Sequence, residues 1–191
     1  MSQRIIGVTG GIATGKTTVT NYLHQRYGLP ILDADLYARE ALTAERLELI
    51  RERYGAKILT RSGELNRQYL GTIIFNDSRE RHWLEQLIHP YVTEQLIKNA
   101  QNIAPNPVVM AIPLLFEANL QHLVTEIWVI NCPLKLQEQR LCTRNNLTIN
   151  EAKQRITAQM PISEKIAQAD VIIDNSSDLK DLWQQIDQNM I

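Results

Sequence analysis

The chain has 191 residues, 44% of them hydrophobic and 21% charged, with a formal net charge of −1 at pH 7. That length suits one compact domain with a core and room for a small inserted subdomain, and the composition excludes wholesale disorder. Acids and bases are interspersed along the chain, which leaves no broad basic field for nucleic acid.

Met1-Ser2-Gln3-Arg4 leads straight into a strand-like stretch with no signal-peptide core. No apolar run nears the roughly 20 residues that span a membrane. A cytoplasmic enzyme is therefore expected, away from any membrane, and no feature demands an obligate protein partner. Ile5-Ile6-Gly7-Val8-Thr9 is apolar, rich in β-branched residues and closed by Gly10-Gly11, so it reads as a buried strand. A helical pattern opens at Gly15-Lys16-Thr17-Thr18 and puts Val19, Tyr22 and Leu23 on one face. Leu29-Pro30-Ile31-Leu32-Asp33 reads as a second strand.

More than seventy residues then pass before the third strand, too many for a structureless loop. Leu42, Leu49 and Ile50, then Trp83, Leu84, Leu87 and Ile88, fall at helical spacings, which predicts a helical insertion over residues 36–104. Val108-Val109-Met110-Ala111-Ile112 is the third strand, stopped by Pro113. Ile127-Trp128-Val129-Ile130-Asn131 is the fourth, and Val171-Ile172-Ile173-Asp174 the fifth. A polar helical stretch over residues 134–168 carries Arg140, Arg144, Lys153, Arg155 and Lys165, suited to closing over a ligand. The last helix places Leu179, Leu182, Trp183, Ile186 and Met190 on one face behind the capping run Ser176-Ser177-Asp178. Cys132 and Cys142 lack disulfide-framework or metal-ligand spacing and read as buried or inert thiols.

Fully apolar strands alternating with helices predict a doubly wound α/β fold with a parallel sheet covered on both faces. Against that frame Gly10-Gly11-Ile12-Ala13-Thr14-Gly15-Lys16-Thr17 matches G-x-x-x-x-G-K-[ST] at every fixed position, between a predicted strand and a predicted helix. Glycines let the backbone wrap so that main-chain N–H groups face phosphate oxygens, and the following helix turns its positive end to the same anion. Residues 11–18, that is Gly11, Ile12, Ala13, Thr14, Gly15, Lys16, Thr17 and Thr18, are thus expected to bind the phosphates of ATP. Lys16 would reach the β- and γ-phosphates, and the Thr17 hydroxyl would ligate Mg2+. Nothing reads Asn-Lys-x-Asp, the guanine-selecting pattern, and the chain is small with a lid-like basic stretch. A small-molecule kinase that must exclude water fits best.

Asp33 and Asp35 stand where the second strand should end, and ligands of doubly wound sheets bind at that edge. One reading makes a carboxylate the acceptor of a hydroxyl proton during phosphoryl transfer. The other makes it a helix cap, since Leu36-Tyr37-Ala38 can start a helix. Position alone does not divide base, cap and magnesium contact between the two.

The sequence resembles bacterial dephospho-coenzyme A kinase over nearly its whole length, from residue 5 to about 175. The resemblance rests on Thr9-Gly10-Gly11-Ile12, Gly15-Lys16-Thr17-Thr18, Asp33-Ala34-Asp35, Ala38-Arg39-Glu40, Leu65-Asn66-Arg67, Ile74-Phe75, Trp83-Leu84, His89-Pro90 and Pro113-Leu114-Leu115-Phe116-Glu117. Arg140, Arg144, Ala158-Gln159, Ala169-Asp170 and Ile173-Asp174-Asn175 complete it. It implies transfer of the ATP γ-phosphoryl to the ribose 3′-hydroxyl of dephospho-coenzyme A. The alternative is another small P-loop kinase acting on a nucleotide or sugar-like alcohol.

The implied build is a three-layer αβα P-loop nucleoside triphosphate hydrolase-like fold with a five-stranded parallel sheet. Its core spans residues 1–35, 105–134 and 169–191, with a helical coenzyme A subdomain over 36–104 and a lid over 135–168. By the same resemblance Lys16 is the phosphate-loop lysine, Asp35 the general base and Asp33 its partner. Arg140 would neutralise the transferring phosphoryl, assisted by Arg144.

Several residues keep two readings. Thr9 touches phosphate or orients Asp35, or simply ends a strand. His89 touches substrate or fixes the junction where Pro90 bends or begins a helix. Leu115 is pocket wall or core, beside Glu117 as the polar member of its motif. Asn175 contacts adenine or caps a helix. Two departures stand out. Ala13 replaces an expected glycine, at a cost of roughly 1 kcal/mol if the backbone there needs positive φ. Ala111 stands where an acid is common, leaving Thr17 and ATP itself as the named magnesium ligands.

Overall fold

The computed structural model describes residues 3–103 and 106–190, and all their side chains except that of Phe75. Met1, Ser2, the expected subdomain boundary at 104/105, and the Phe75 side chain of the Ile74-Phe75 signature lie outside the described residues. The chain forms two compact units, Met1–Ala34 with Leu96–Ile191, and Asp35–Gln95.

The first unit carries five strands: β1 (Ile5–Gly10), β2 (Ile31–Asp33), β3 (Val108–Ala111), β4 (Glu126–Asn131) and β5 (Val171–Asp174). They form one sheet in the order β2-β3-β1-β4-β5. Every pairing is parallel, with Ile6 opposite Val109 on one side and opposite Glu126 on the other. The apolar runs are explained by this placement: all four β3 residues are buried, as are five of the six in β1. Helix α1 (Lys16–Tyr27) and the last helix, α9 (Leu179–Asn189), supply Val19, Leu23, Leu182 and Ile186 to a core with Ile6, Val8, Val109, Trp128, Ile130 and Ile173. Tyr22 stacks on Trp183 at 4.0 Å beside it.

Asp178 caps α9 by accepting the Asp181 N–H, as the Ser-Ser-Asp run predicts. Leu179, expected on the buried face of α9, is instead 56% exposed. Helices α6 (Leu134–Asn145), α7 (Ile149–Thr157) and α8 (Ile162–Ile166) occupy the polar stretch. A complete capping box between Thr148 and Glu151 starts α7.

The second unit is helical. Helix α2 (Ala34–Glu40) leads into it, followed by α3 (Ala44–Tyr54), α4 (Arg67–Asn76) and most of α5 (Ser78–Ile103). Ile50, Ile58, Leu70 and Leu84 make its core, with Trp83, Leu87 and Ile88 packed around them. Leu49, expected on the apolar face, is 46% exposed. Arg53 donates to Glu80 at 2.6 Å and lies 4.5 Å over the Trp83 ring. Of the two readings of Pro90, that it begins a helix does not hold: α5 runs through it for 26 residues. Proline's φ is compatible with a helix, and the position at fault is the orphaned carbonyl four residues back. Gln86 and Pro90 are both exposed, so water can satisfy that carbonyl. Among the described residues no helix is long and apolar enough to cross a membrane.

Candidate active site

The phosphate loop leaves β1 at the centre of the sheet, where β3 and β4 flank it and the strand order reverses. Thr14, fully buried, closes the loop by donating both its N–H (3.2 Å) and its hydroxyl (2.9 Å) to the Gly11 carbonyl. A Cβ at Gly10 would lie 2.4 Å from the Ile130 carbonyl oxygen and 2.8 Å from the Thr14 hydroxyl, so only glycine fits there. Gly15 has φ 103° and precedes α1, whose first turn carries no acidic side chain to offset the positive end of the helix dipole at the loop. Ala13 has φ 61°, the left-handed conformation that its sequence departure raised as a question.

The loop is held from outside. Asn175, buried at the end of β5, donates its side-chain N–H to the Thr14 carbonyl at 2.7 Å. Arg140 on α6 donates to the same carbonyl at 3.4 Å and to the Asn175 carbonyl at 3.1 Å. Because the peptide is planar and trans, a Thr14 carbonyl turned toward these donors aims the Gly15 N–H the opposite way. Asn175 caps no helix, since Asp178 caps α9; its side-chain N–H is spent on the loop, and its Nδ2 fills the space a Cβ on Gly15 would need, 2.0 Å away. Gln137, also buried, donates to the Cys132 carbonyl at 3.1 Å and sets its own carbonyl against Gly11. Burial raises the Cys132 thiol, partly opposed by the Arg140 charge. Arg144 is exposed and donates to the Asn145 side chain at 2.9 Å.

A second network lies at the carboxyl ends of β1 and β3. Thr9, fully buried, donates its hydroxyl to the Pro113 carbonyl at 3.1 Å. Lys165 reaches the same carbonyl at 3.2 Å and pairs with Glu117 at 2.9 Å. Lys165, which the sequence places in the polar stretch suited to closing over a ligand, has no exposed surface. Its ammonium pairs with Glu117 and bonds to the Pro113 carbonyl, which offsets part of the cost of burying it. Glu117 also accepts the Met160 N–H at 3.0 Å. Leu115 is completely buried, so it belongs to the core and offers no wall to a ligand.

Asp33 closes β2 in register with Ala111, at the carboxyl edge of the sheet. Asp35 lies in the first turn of α2 and is exposed. His89 sits half-buried on α5 in the helical unit, and burial lowers its basicity against a raising influence from Glu85. Lys16 opens α1, with Thr17 exposed and Thr18 donating its N–H to the Gly15 carbonyl at 2.9 Å. Among the described residues no group of three or more His, Cys, Asp or Glu could hold a metal ion.

Sequence reasoning missed Gln137 and the structural use of Lys165. A lone buried glutamine and a lysine paired 48 residues away leave no local spacing to read.

A phosphate-binding loop at the switch point of a parallel five-stranded sheet, with acids at the strand ends, defines a P-loop kinase. The dephospho-CoA kinase family model matches residues 4–181. Dephospho-CoA kinase from a Synechocystis species is 54% identical over 96% of this chain and 93% of its own. The enzyme of that name from Trichormus variabilis is 52% identical over 98% and 96%. The solved structure of dephospho-CoA kinase from Campylobacter jejuni superposes with a TM-score of 0.71 at 29% identity, covering 97% of this chain and 94% of that one. The chain belongs to the dephospho-CoA kinase family.

Proposed function

We infer that the chain is an ATP-dependent dephospho-CoA kinase, moving the ATP γ-phosphoryl onto the 3′-hydroxyl of dephospho-coenzyme A in the last step of coenzyme A synthesis. The observation that carries this reading is the braced loop at residues 10–17 within a chain matched almost end to end by that family. The loop amides and Lys16 grip the triphosphate. Asp35 accepts the proton of the attacking hydroxyl as the new O–P bond forms and ADP departs, with Asp33 supporting it. Arg140, already bonded to the loop, and the exposed Arg144 add positive charge for the transferring phosphoryl. The helical unit, with His89, would hold the acceptor, and residues 135–168 would close over it. Mg2+ takes most of its ligands from phosphates and water, so the exposed Thr17 hydroxyl suffices as its protein contact. ATP and a coenzyme precursor as substrates point to the cytoplasm, with no need for nucleic acid, membrane or a protein partner.

Mass analysis of the product from ATP and dephospho-coenzyme A tests the reading, with one added phosphoryl expected. Turnover on a nucleoside or a sugar-like alcohol, and none on dephospho-coenzyme A, would assign a different acceptor. Asp35→Asn should abolish transfer while ATP still binds. Near-normal turnover in that variant removes Asp35 from the base role.

A further inference from the structure

The link between α7 and α8 carries a side chain that reaches the phosphate loop itself. The Gln159 side-chain oxygen accepts the Ile12 N–H at 2.8 Å. Only the carbonyl end of that amide can face an N–H donor, so its orientation is dictated by the partner. Ile12 is a loop residue, and its amide is given to Gln159, which sets the orientation of the Ile12 peptide within the loop.

Gln159 is itself held in place. Its own N–H is bonded to the Ile156 carbonyl at 3.2 Å, and the next N–H, of Met160, goes to Glu117 at 3.0 Å. Glu117 is anchored by the buried Lys165, which also grips the Pro113 carbonyl. The Thr9 hydroxyl donates to that same carbonyl. These contacts close a circuit. It leaves β1 at Thr9, passes through Pro113, Lys165 and Glu117, and returns through Gln159 to the loop at Ile12, three residues after it began. The Pro113-Leu114-Leu115-Phe116-Glu117 and Ala158-Gln159 segments are the two arcs of this circuit.

We propose that Gln159 is a positioning residue for the phosphate loop: its neutral carbonyl fixes the Ile12 peptide so that the loop closes correctly on a nucleoside triphosphate. Neutrality is the essential property. A carboxylate in the same place would accept the Ile12 N–H equally well but would set a negative charge beside an anion site. The proposal rests on the loop binding ATP and not on the identity of the acceptor.

The test compares Q159A and Q159E with the wild-type chain, measuring ATP affinity by calorimetry without acceptor, KM for each substrate, and thermal melting. Gln159 is only half-buried, so both variants are expected to melt close to wild type. Loss of one hydrogen bond in Q159A should weaken ATP binding about two- to tenfold. Added charge in Q159E should weaken it roughly tenfold or more, beyond Q159A. In both, KM for ATP should rise while KM for dephospho-coenzyme A holds. Wild-type ATP affinity in Q159A, or a loss in Q159E no greater than in Q159A, overturns the proposal. Because binding is read without acceptor, a wild-type chain that fails to phosphorylate dephospho-coenzyme A would defeat the functional reading and leave this result standing.

Discussion

The Lys165–Glu117 pair offers a stability experiment whose sign and asymmetry follow from burial. Lys165 has no exposed surface, whereas the Glu117 side chain keeps 23%. Glu117→Leu would leave the ammonium enclosed, with the Pro113 carbonyl as its remaining acceptor among these contacts. Stranding a buried charge in this way costs about 3–5 kcal/mol. For a chain of this size each kcal/mol lowers the melting temperature by about 2–4 °C, so a fall of roughly 6–20 °C is expected. Lys165→Met should cost less, about 2–3 kcal/mol, because the carboxylate is partly wet and keeps the Met160 N–H. The double variant should recover much of the loss, since an apolar pair in place of a buried ion pair is often neutral. Urea unfolding of all four proteins gives the coupling energy directly. Single losses that simply add, with coupling under about 0.5 kcal/mol, would show that the two charges do not compensate each other.

Ala13→Gly should stabilise the fold by about 1 kcal/mol, because glycine adopts the left-handed backbone at φ 61° without steric cost. Calorimetry checks it, and a lower melting temperature would mean that Ala13 does not hold that conformation in solution. Burial depresses the His89 imidazole below its usual value of 6.5, so the unfolded chain binds a proton there before the folded one does. Stability should therefore decline as pH falls from 6.5 through the folded value, and no further below it, while His89→Gln should flatten that stretch. An imidazole seen by NMR to titrate at or above 6.5 would refute this.

Features set by neighbouring residues were legible in the sequence. β1 and β3 are short buried runs, and a strand inside a parallel sheet needs apolar side chains on both faces, so Val108-Val109-Met110-Ala111 declares itself, whereas the apolar run of the edge strand β5 leaves Ile172 half exposed. The phosphate loop is equally local: its glycines, Lys16 and Thr17 serve a single turn between one strand and one helix. The Asp178 cap and the α9 stripe follow from spacing alone.

Tertiary structure decided what the polar side chains do. Lys165 reads as one more cation on a helix, and only folding shows it enclosed with Glu117. Asn175 and Thr14 are 161 residues apart, yet they form the bond that turns the loop peptide. Pro90 by itself leaves a bend or a helix start open, and only the fold shows α5 running through it. Chain-local preferences are written in the order of residues, whereas a hydrogen bond between distant segments exists only once burial has brought donor and acceptor together.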